Sequence, residues 1–244
     1  LFKIRLENSN DPWRSITQRT NKTKPSQVHY LKHSFIQHSS AIVEWGEPDI
    51  TSGLPITYEY YYEQGTLPAS QGTAPAESDT QYNTTTETSF TLTSLSPYTD
   101  YVFYVRAKNS EGVSGWSNTT FKTIANNPGN PTNLELKYDW GGYVSMRWDE
   151  PSYIGGTGIS YYKVKLYHKV QNALSGLLLG DVVEYEWKVI YTNTVSGITV
   201  LNHRLYMNAN TLYRLIITAV NDQDLESSLS LAYFYGNRLP NDVW

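Results

Sequence analysis

The 244-residue chain is long enough for two ordinary domains, each able to bury its own core. Its formal charge of −4 argues against a dedicated binder of nucleic acid or anionic membrane, and no apolar run approaches the roughly 20 residues that a membrane span needs. The lack of cysteine excludes a disulfide scaffold, a thiol nucleophile and any Cys-ligated metal centre, while 14% aromatic residues suit half-buried pleated surfaces and favour an all-β fold.

The opening stretch "LFKIRLENSNDPW" places Leu1, Phe2, Ile4 and Leu6 among polar residues and reads as a strand already under way. In "SSAIVEWGEP" the residues Ala41, Val43 and Trp45 alternate and then stop at Gly46-Glu47-Pro48. "PITYEYYYEQG" puts Tyr58, Tyr60 and Tyr62 on one face, with Glu59, Tyr61 and Glu63 on the other. "SFTLTSL" follows, then "YVFYVRAKN", which presents Tyr101, Phe103, Val105 and Ala107 to a single side. Short alternating runs at turn-rich intervals, with no helical stripe over three turns, are the pattern of a β-sandwich.

The pattern then repeats. "DYVFYVRAKNSEGVSGWSN" lies over "LYRLIITAVNDQDLESSLS", so that Tyr101, Phe103, Val105, Ala107 and Asn109 meet Tyr213, Leu215, Ile217, Ala219 and Asn221 without a gap. "VEWGEP" likewise meets "MRWDEP", pairing Trp45 with Trp148 and Pro48 with Pro151, and "LPITYEYYY" matches "TGISYYKVKLY". The unit is about a hundred residues long and occurs twice. The opening "FKIRLENSNDPWRS" overlays "FYVRAKNSEGVSGWS", so residues 1–23 read as the last two strands of a preceding copy. "NRLPNDVW" matches "GNPTNLEL", so residues 237–244 read as the start of a following one. Complete units are expected over 24–125 and 126–236, in a fragment of a longer array.

Trp45 with its trailing Pro48, and the run "LTSLSPYTDYVFYVRAKNSEGVSGWS", resemble the fibronectin type III domain, over essentially the whole chain. The most specific element is Leu95-x-Pro97-x-Thr99-x-Tyr101, which is similar to the family's tyrosine corner. There the Tyr hydroxyl hydrogen-bonds upstream backbone and pins the crossing between sheets. Tyr213 holds the matching place in the second unit, where Met207, Ala209 and Thr211 replace the rest of the pattern. The resemblance implies immunoglobulin-like, seven-stranded antiparallel sandwiches of fibronectin type III type, in tandem. It implies a core of Trp45, Tyr58, Tyr60, Leu92, Leu95, Tyr101, Phe103 and Val105 in the first unit. In the second the core would hold Trp148, Tyr162, Val164, Leu166, Tyr213, Leu215 and Ile217. The short joint "TIANNPGNP" predicts a semi-rigid rod.

Chemistry is sparse. His29, His33 and His38 form the one histidine cluster, but i, i+4 spacing converges on a metal only along a helix, and this segment is read as strand and loop. Asp222, Asp224 and Glu226 gather in "NDQDLE", which lacks the glycine and the span of an EF-hand loop and reads as turn chemistry. "IGGTG" at 154–158 opens no helix and is a glycine-rich connection between strands. There is no Arg-Gly-Asp, and "SGWSN" holds only half of a cytokine-receptor Trp-Ser box. No catalytic group, cofactor or metal is expected, and no nucleic-acid or membrane contact.

Two features bear on partners. Asn21, Asn83 and Asn118 head Asn-x-Thr sequons and are candidate glycan acceptors if the protein is secreted. In "NALSGLLLGDVVEYEW" the residues Leu174, Leu177, Leu178 and Leu179 form an apolar loop, read either as a partner contact or as a flap folded over its own sandwich. The leading expectation is a non-enzymatic structural or adhesive spacer, extracellular or at the cell surface. Its partners would be other proteins and neighbouring domains of the same array, with glycans as further candidates. The alternatives are a cytoplasmic, cytoskeletal filament scaffold of the ciliary or muscle type, and the spacer region of a secreted polysaccharide-active enzyme.

Overall fold

The computed structural model describes residues 2–4, 14–16, 21–66, 82–138, 143–171, 185–197, 199–205, 207–208 and 210–236. Every regular element among them is a β-strand. At the start β1 (Phe2–Ile4) and β2 (Arg14–Ile16) pair antiparallel with each other. The chain divides into two compact units, in the main between Lys122 and Thr123, with β1 and β2 counted in the first.

In the first sandwich one sheet holds β3 (His29–Ser34), β4 (Ala41–Gly46) and β7 (Ser89–Leu92), ordered β3-β4-β7. The other holds β5 (Thr57–Gln64), β6 (Asn83–Thr85), β8 (Asp100–Asn109) and β10 (Ser117–Lys122), ordered β10-β8-β5-β6, with the short β9 (Gly112–Val113) paired to β8. The second sandwich repeats three against four. Its smaller sheet runs β11 (Thr132–Tyr138), β12 (Tyr143–Asp149), β15 (Val200–Arg204). Its larger sheet is ordered β14 (Tyr185–Val195), β13 (Ile159–Gln171), β16 (Leu212–Asn221), β17 (Ser230–Tyr235). Each sandwich therefore has the seven principal strands and two antiparallel sheets that alternation in the sequence implies.

The alternating residues meet between the sheets. Trp45 stacks on Phe103 with ring centroids 5.9 Å apart and meets Tyr58 edge-on at 5.4 Å; Tyr60 packs on Phe103 and Phe90. Trp148 meets Tyr162 edge-on at 5.3 Å in the second core, beside Val164, Leu166, Tyr213, Leu215 and Ile217, all buried. Each indole N–H is buried with no acceptor among the described residues, so both tryptophans stay in place through packing of the ring rather than a hydrogen bond.

Each unit ties its ends together with the same four bonds. The Asn109 amide donates to the carbonyls of Thr23 and Thr51 and accepts from the Glu111 N–H at 2.9 Å. Asn221 donates to the Asn126 carbonyl at 3.0 Å and accepts from the Gln223 and Leu225 N–H groups. The Ser114 hydroxyl accepts from the Ala107 N–H at 3.0 Å; Ser227 does the same for Ala219, across a turn one residue longer. Ser117 then donates to the Val28 carbonyl and Ser230 to that of Pro131, joining the last strand to the leading segment. Buried strand-end groups need such partners once the ladders stop.

The first strand of each unit is also bent in the same way. The β3–β4 register slips between His29 and Lys32, with Tyr30 at φ 51°, and the β11–β12 register slips between Thr132 and Glu135, with Asn133 at φ 50°. A bulge in an edge strand interrupts its ladder against further pairing. The units differ most in one hairpin: β13 and β14 pair over ten positions, whereas β5 and β6 pair over three.

Candidate interaction surface

The residues singled out by sequence separate in space. His29 lies edge-on to Tyr30, its Nδ1 3.8 Å from an Asp49 carboxylate oxygen, while His33 faces Phe121 and hydrogen-bonds the Thr119 hydroxyl. No group of three or more His, Asp or Glu side chains among the described residues could hold a metal. The acidic run works as a turn: Asn221 gathers the N–H groups of Gln223 and Leu225, and Glu226 pairs with Lys163. Gly155 sits at φ +77°, with its backbone so near that an added Cβ would lie 2.0 Å from the Asn126 carbonyl oxygen, which explains the glycine in "IGGTG".

Tyr213 is buried, and its hydroxyl accepts the Asn208 N–H at 2.7 Å, five residues upstream. Tyr101 is buried against Phe121, and its hydroxyl accepts from the Gln64 amide at 3.3 Å. Asn21, Asn83 and Asn118 are all exposed. Leu174, Leu177, Leu178 and Leu179 lie outside the described residues. No helix of the described residues is long and apolar enough to cross a membrane.

What sequence reading missed is the outer face of the larger sheet in each sandwich. In the first, Glu59 and Arg106 are cross-strand partners on β5 and β8, with side chains only 7% and 8% exposed. Arg106 Nε and Nη2 donate to one Glu59 oxygen at 2.8 and 2.7 Å, and Lys108 Nζ donates to the other at 2.6 Å. The guanidinium carbon lies 4.5 Å from the ring centroid of Trp116 and 5.0 Å from that of Tyr82. Burial alone would raise the Glu59 carboxyl, but the Lys108 and Arg106 hydrogen bonds and charges outweigh it and hold it below the usual value. Every charge in this cluster has a partner.

The second sandwich is built otherwise. A row of cross-strand partners, Val189, Tyr167, Arg214 and Tyr233, crosses all four strands from β14 to β17. Alternation turns these residues away from the core, because Leu166 and Leu215 beside them are fully buried. The Arg214 guanidinium carbon is 4.6 Å from the ring centroids of both Tyr167 and Trp187, and Trp187 in turn packs on Tyr233 at 5.7 Å. Its Nε is buried with no acceptor among the described residues. Lys169 Nζ lies 4.4 Å over the Tyr185 ring. Tyr185 and Val189 on β14, and Leu231, Tyr233 and Tyr235 on β17, are each more than half exposed.

Two antiparallel sandwiches, with polar ties at their ends and side-chain clusters on their outer sheet faces, define an immunoglobulin-like architecture. Residues 24–123 match the family model described as the fibronectin type III domain. Among curated proteins it is similar to ephrin type-A receptor 6 of Rattus norvegicus, at 28% identity over 117 residues that make up 46% of this chain and 10% of the receptor. It is also similar to ephrin type-A receptor 5 of Gallus gallus, at 31% identity over 106 residues, 42% of this chain and 9% of the receptor. The chain thus spans about a tenth of the length of the curated relatives it matches. Among solved structures the FN1–FN3 domains of chicken CNTN1 align with a TM-score of 0.43 at 19% identity, covering 88% of this chain and 67% of that one.

Proposed function

We propose that the chain is a non-enzymatic structural and adhesive part of an extracellular or cell-surface protein, whose sandwiches serve as a scaffold for contacts with other proteins. The observation that carries the reading is the outer face of β14-β13-β16-β17, where five large apolar side chains stand more than half exposed around a stacked arginine. Exposed apolar area concentrated on one face is the physical requirement for a protein contact. The fibronectin type III match and the similarity to proteins named as receptors support the same reading.

The extracellular part is supported by the similarity to proteins named as receptors, and the exposed sequons at Asn21, Asn83 and Asn118 give it a test. Peptide mass spectrometry on the protein from its native source tests it. Glycan on at least one of the three is the expected result. Three bare asparagines at full coverage would move the reading to an intracellular filament scaffold.

A further inference from the structure

The outer face of the second sandwich has a charge imbalance that the described residues do not correct. Lys163, Lys165, Lys169 and Arg214 all project from it, and of these only Lys163 has a carboxylate partner, Glu226, among the described residues. Three cations thus have no carboxylate partner among the described residues on one sheet face of a chain whose net charge is −4. Among these four, Arg214 is the one that lies over two rings. Its plane is clamped between Tyr167 and Trp187, so the rotamer entropy that usually opposes use of an arginine is already spent. Its Nε has no acceptor among the described residues and is already out of contact with water.

We infer that Arg214 is the centre of a docking site for a protein segment that presents a carboxylate flanked by apolar side chains. The carboxylate would accept from the guanidinium, while Val189, Leu231, Tyr233 and Tyr235 receive the flanking groups. Charge complementarity selects an anion. The apolar residues interleaved with the cations select a protein segment over a sulfated glycan, whose surface offers nothing to cover Val189 and Leu231. A stacked arginine ringed by aromatics is also the kind of group that dominates protein interfaces. This inference rests on the reading of the chain as a protein-binding module, and Arg214 has no part in the glycosylation test of that reading.

The experiment is to pan a random twelve-residue peptide-display library on the full chain and, in parallel, on the R214Q and W187A variants. The expected pool is enriched in Asp or Glu next to aliphatic or aromatic residues, and its recovery falls at least tenfold on both variants. Cooperative thermal unfolding of R214Q shows that the loss is not one of folding. A synthetic peptide from the pool should bind at least tenfold more tightly than its Gln-for-Glu or Asn-for-Asp counterpart. Neutral or basic selected motifs, or equal recovery on R214Q, would overturn the inference. So would a heparin hexasaccharide that binds this face more tightly than any selected peptide and loses that binding in R214Q. Glycan at the sequons together with failure here would retain the extracellular module and discard the Arg214 site.

Discussion

Both sandwiches hold an arginine between aromatic rings on the outer face of the larger sheet, but its cross-strand partner differs. Arg106 lies across from Glu59 and Arg214 across from Tyr167. A carboxylate opposite the guanidinium closes the charge within the unit, and Trp116 and Tyr82 then cover it. A phenol opposite offers a stacking face without a counter-charge, so the cation is held against the rings while its Nε has no acceptor among the described residues. The same stacking thus yields an internal brace in one unit and an open recognition feature in the other. One cross-strand residue decides between them.

The comparison rests on each unit having its own core, and the largest expected effects test that. Trp45→Ala and Trp148→Ala should each cost about 3–5 kcal/mol in the unit that carries the substitution. Hydrogen exchange resolved by residue should show the loss confined to that unit, and protection lost equally in both would contradict the division. Next, Glu59→Gln should cost about 3 kcal/mol, since it leaves Arg106 nearly buried beside a neutral amide. Arg214→Gln should cost about 1 kcal/mol, the loss of its stacking on Tyr167 and Trp187, because no ion pair among the described residues is broken. Equal urea midpoints for the two variants would erase the contrast between brace and open feature.

Gly155→Ala and Gly53→Ala sharpen it at the backbone. Both glycines have positive φ, but only at Gly155 does the new Cβ meet backbone; at Gly53 nothing lies within 4 Å. Gly155→Ala should therefore destabilise the second unit by about 2–3 kcal/mol and Gly53→Ala the first by about 1 kcal/mol, measured as chemical denaturation midpoints.

Smaller still are the pH effects, which run in opposite directions. The Glu59 carboxyl is lowered in the folded state, so its contribution is present above the unfolded carboxylate value and disappears as pH falls through the folded one. The first unit should weaken in acid, and Glu59→Gln should remove part of that dependence. Tyr162, pushed up to about 12 by burial and by the nearby Glu150 charge, favours the protonated phenol in the folded state. Its contribution is fully present below about 10, the unfolded value, and is lost as pH rises through about 12, so the second unit should weaken in alkali. Denaturation midpoints measured across pH should show both slopes.

The fold was legible because its determinants are local and periodic. Trp45 and Trp148, and the runs from Tyr101 and Tyr213, carry the two-residue alternation that a half-buried strand must have, and each of these residues is buried. The outer-face clusters were not legible, since their members come together only through register. Glu59 and Arg106 are 47 residues apart, and Trp187 reaches Arg214 through a β13–β14 ladder whose register shifts between Leu166 and Tyr167. That shift moves every later side chain on one strand relative to the other, and no residue in the run announces it. The polar ties were half visible: the repeat aligned Asn109 with Asn221, but their acceptors on Thr23 and Asn126 lie 86 and 95 residues away.

Those asparagine ties also have a mechanical meaning. A pull on the chain ahead of either sandwich reaches the Thr23 or Asn126 carbonyl before it reaches the first strand, and there it meets an amide anchored in the turn that follows β8 or β16. The Ser117 and Ser230 hydroxyls grip the following stretch from the last strand. Force therefore meets these side-chain bonds before it reaches the ladder of the first strand. Each sandwich has a clasp at the point where tension first arrives.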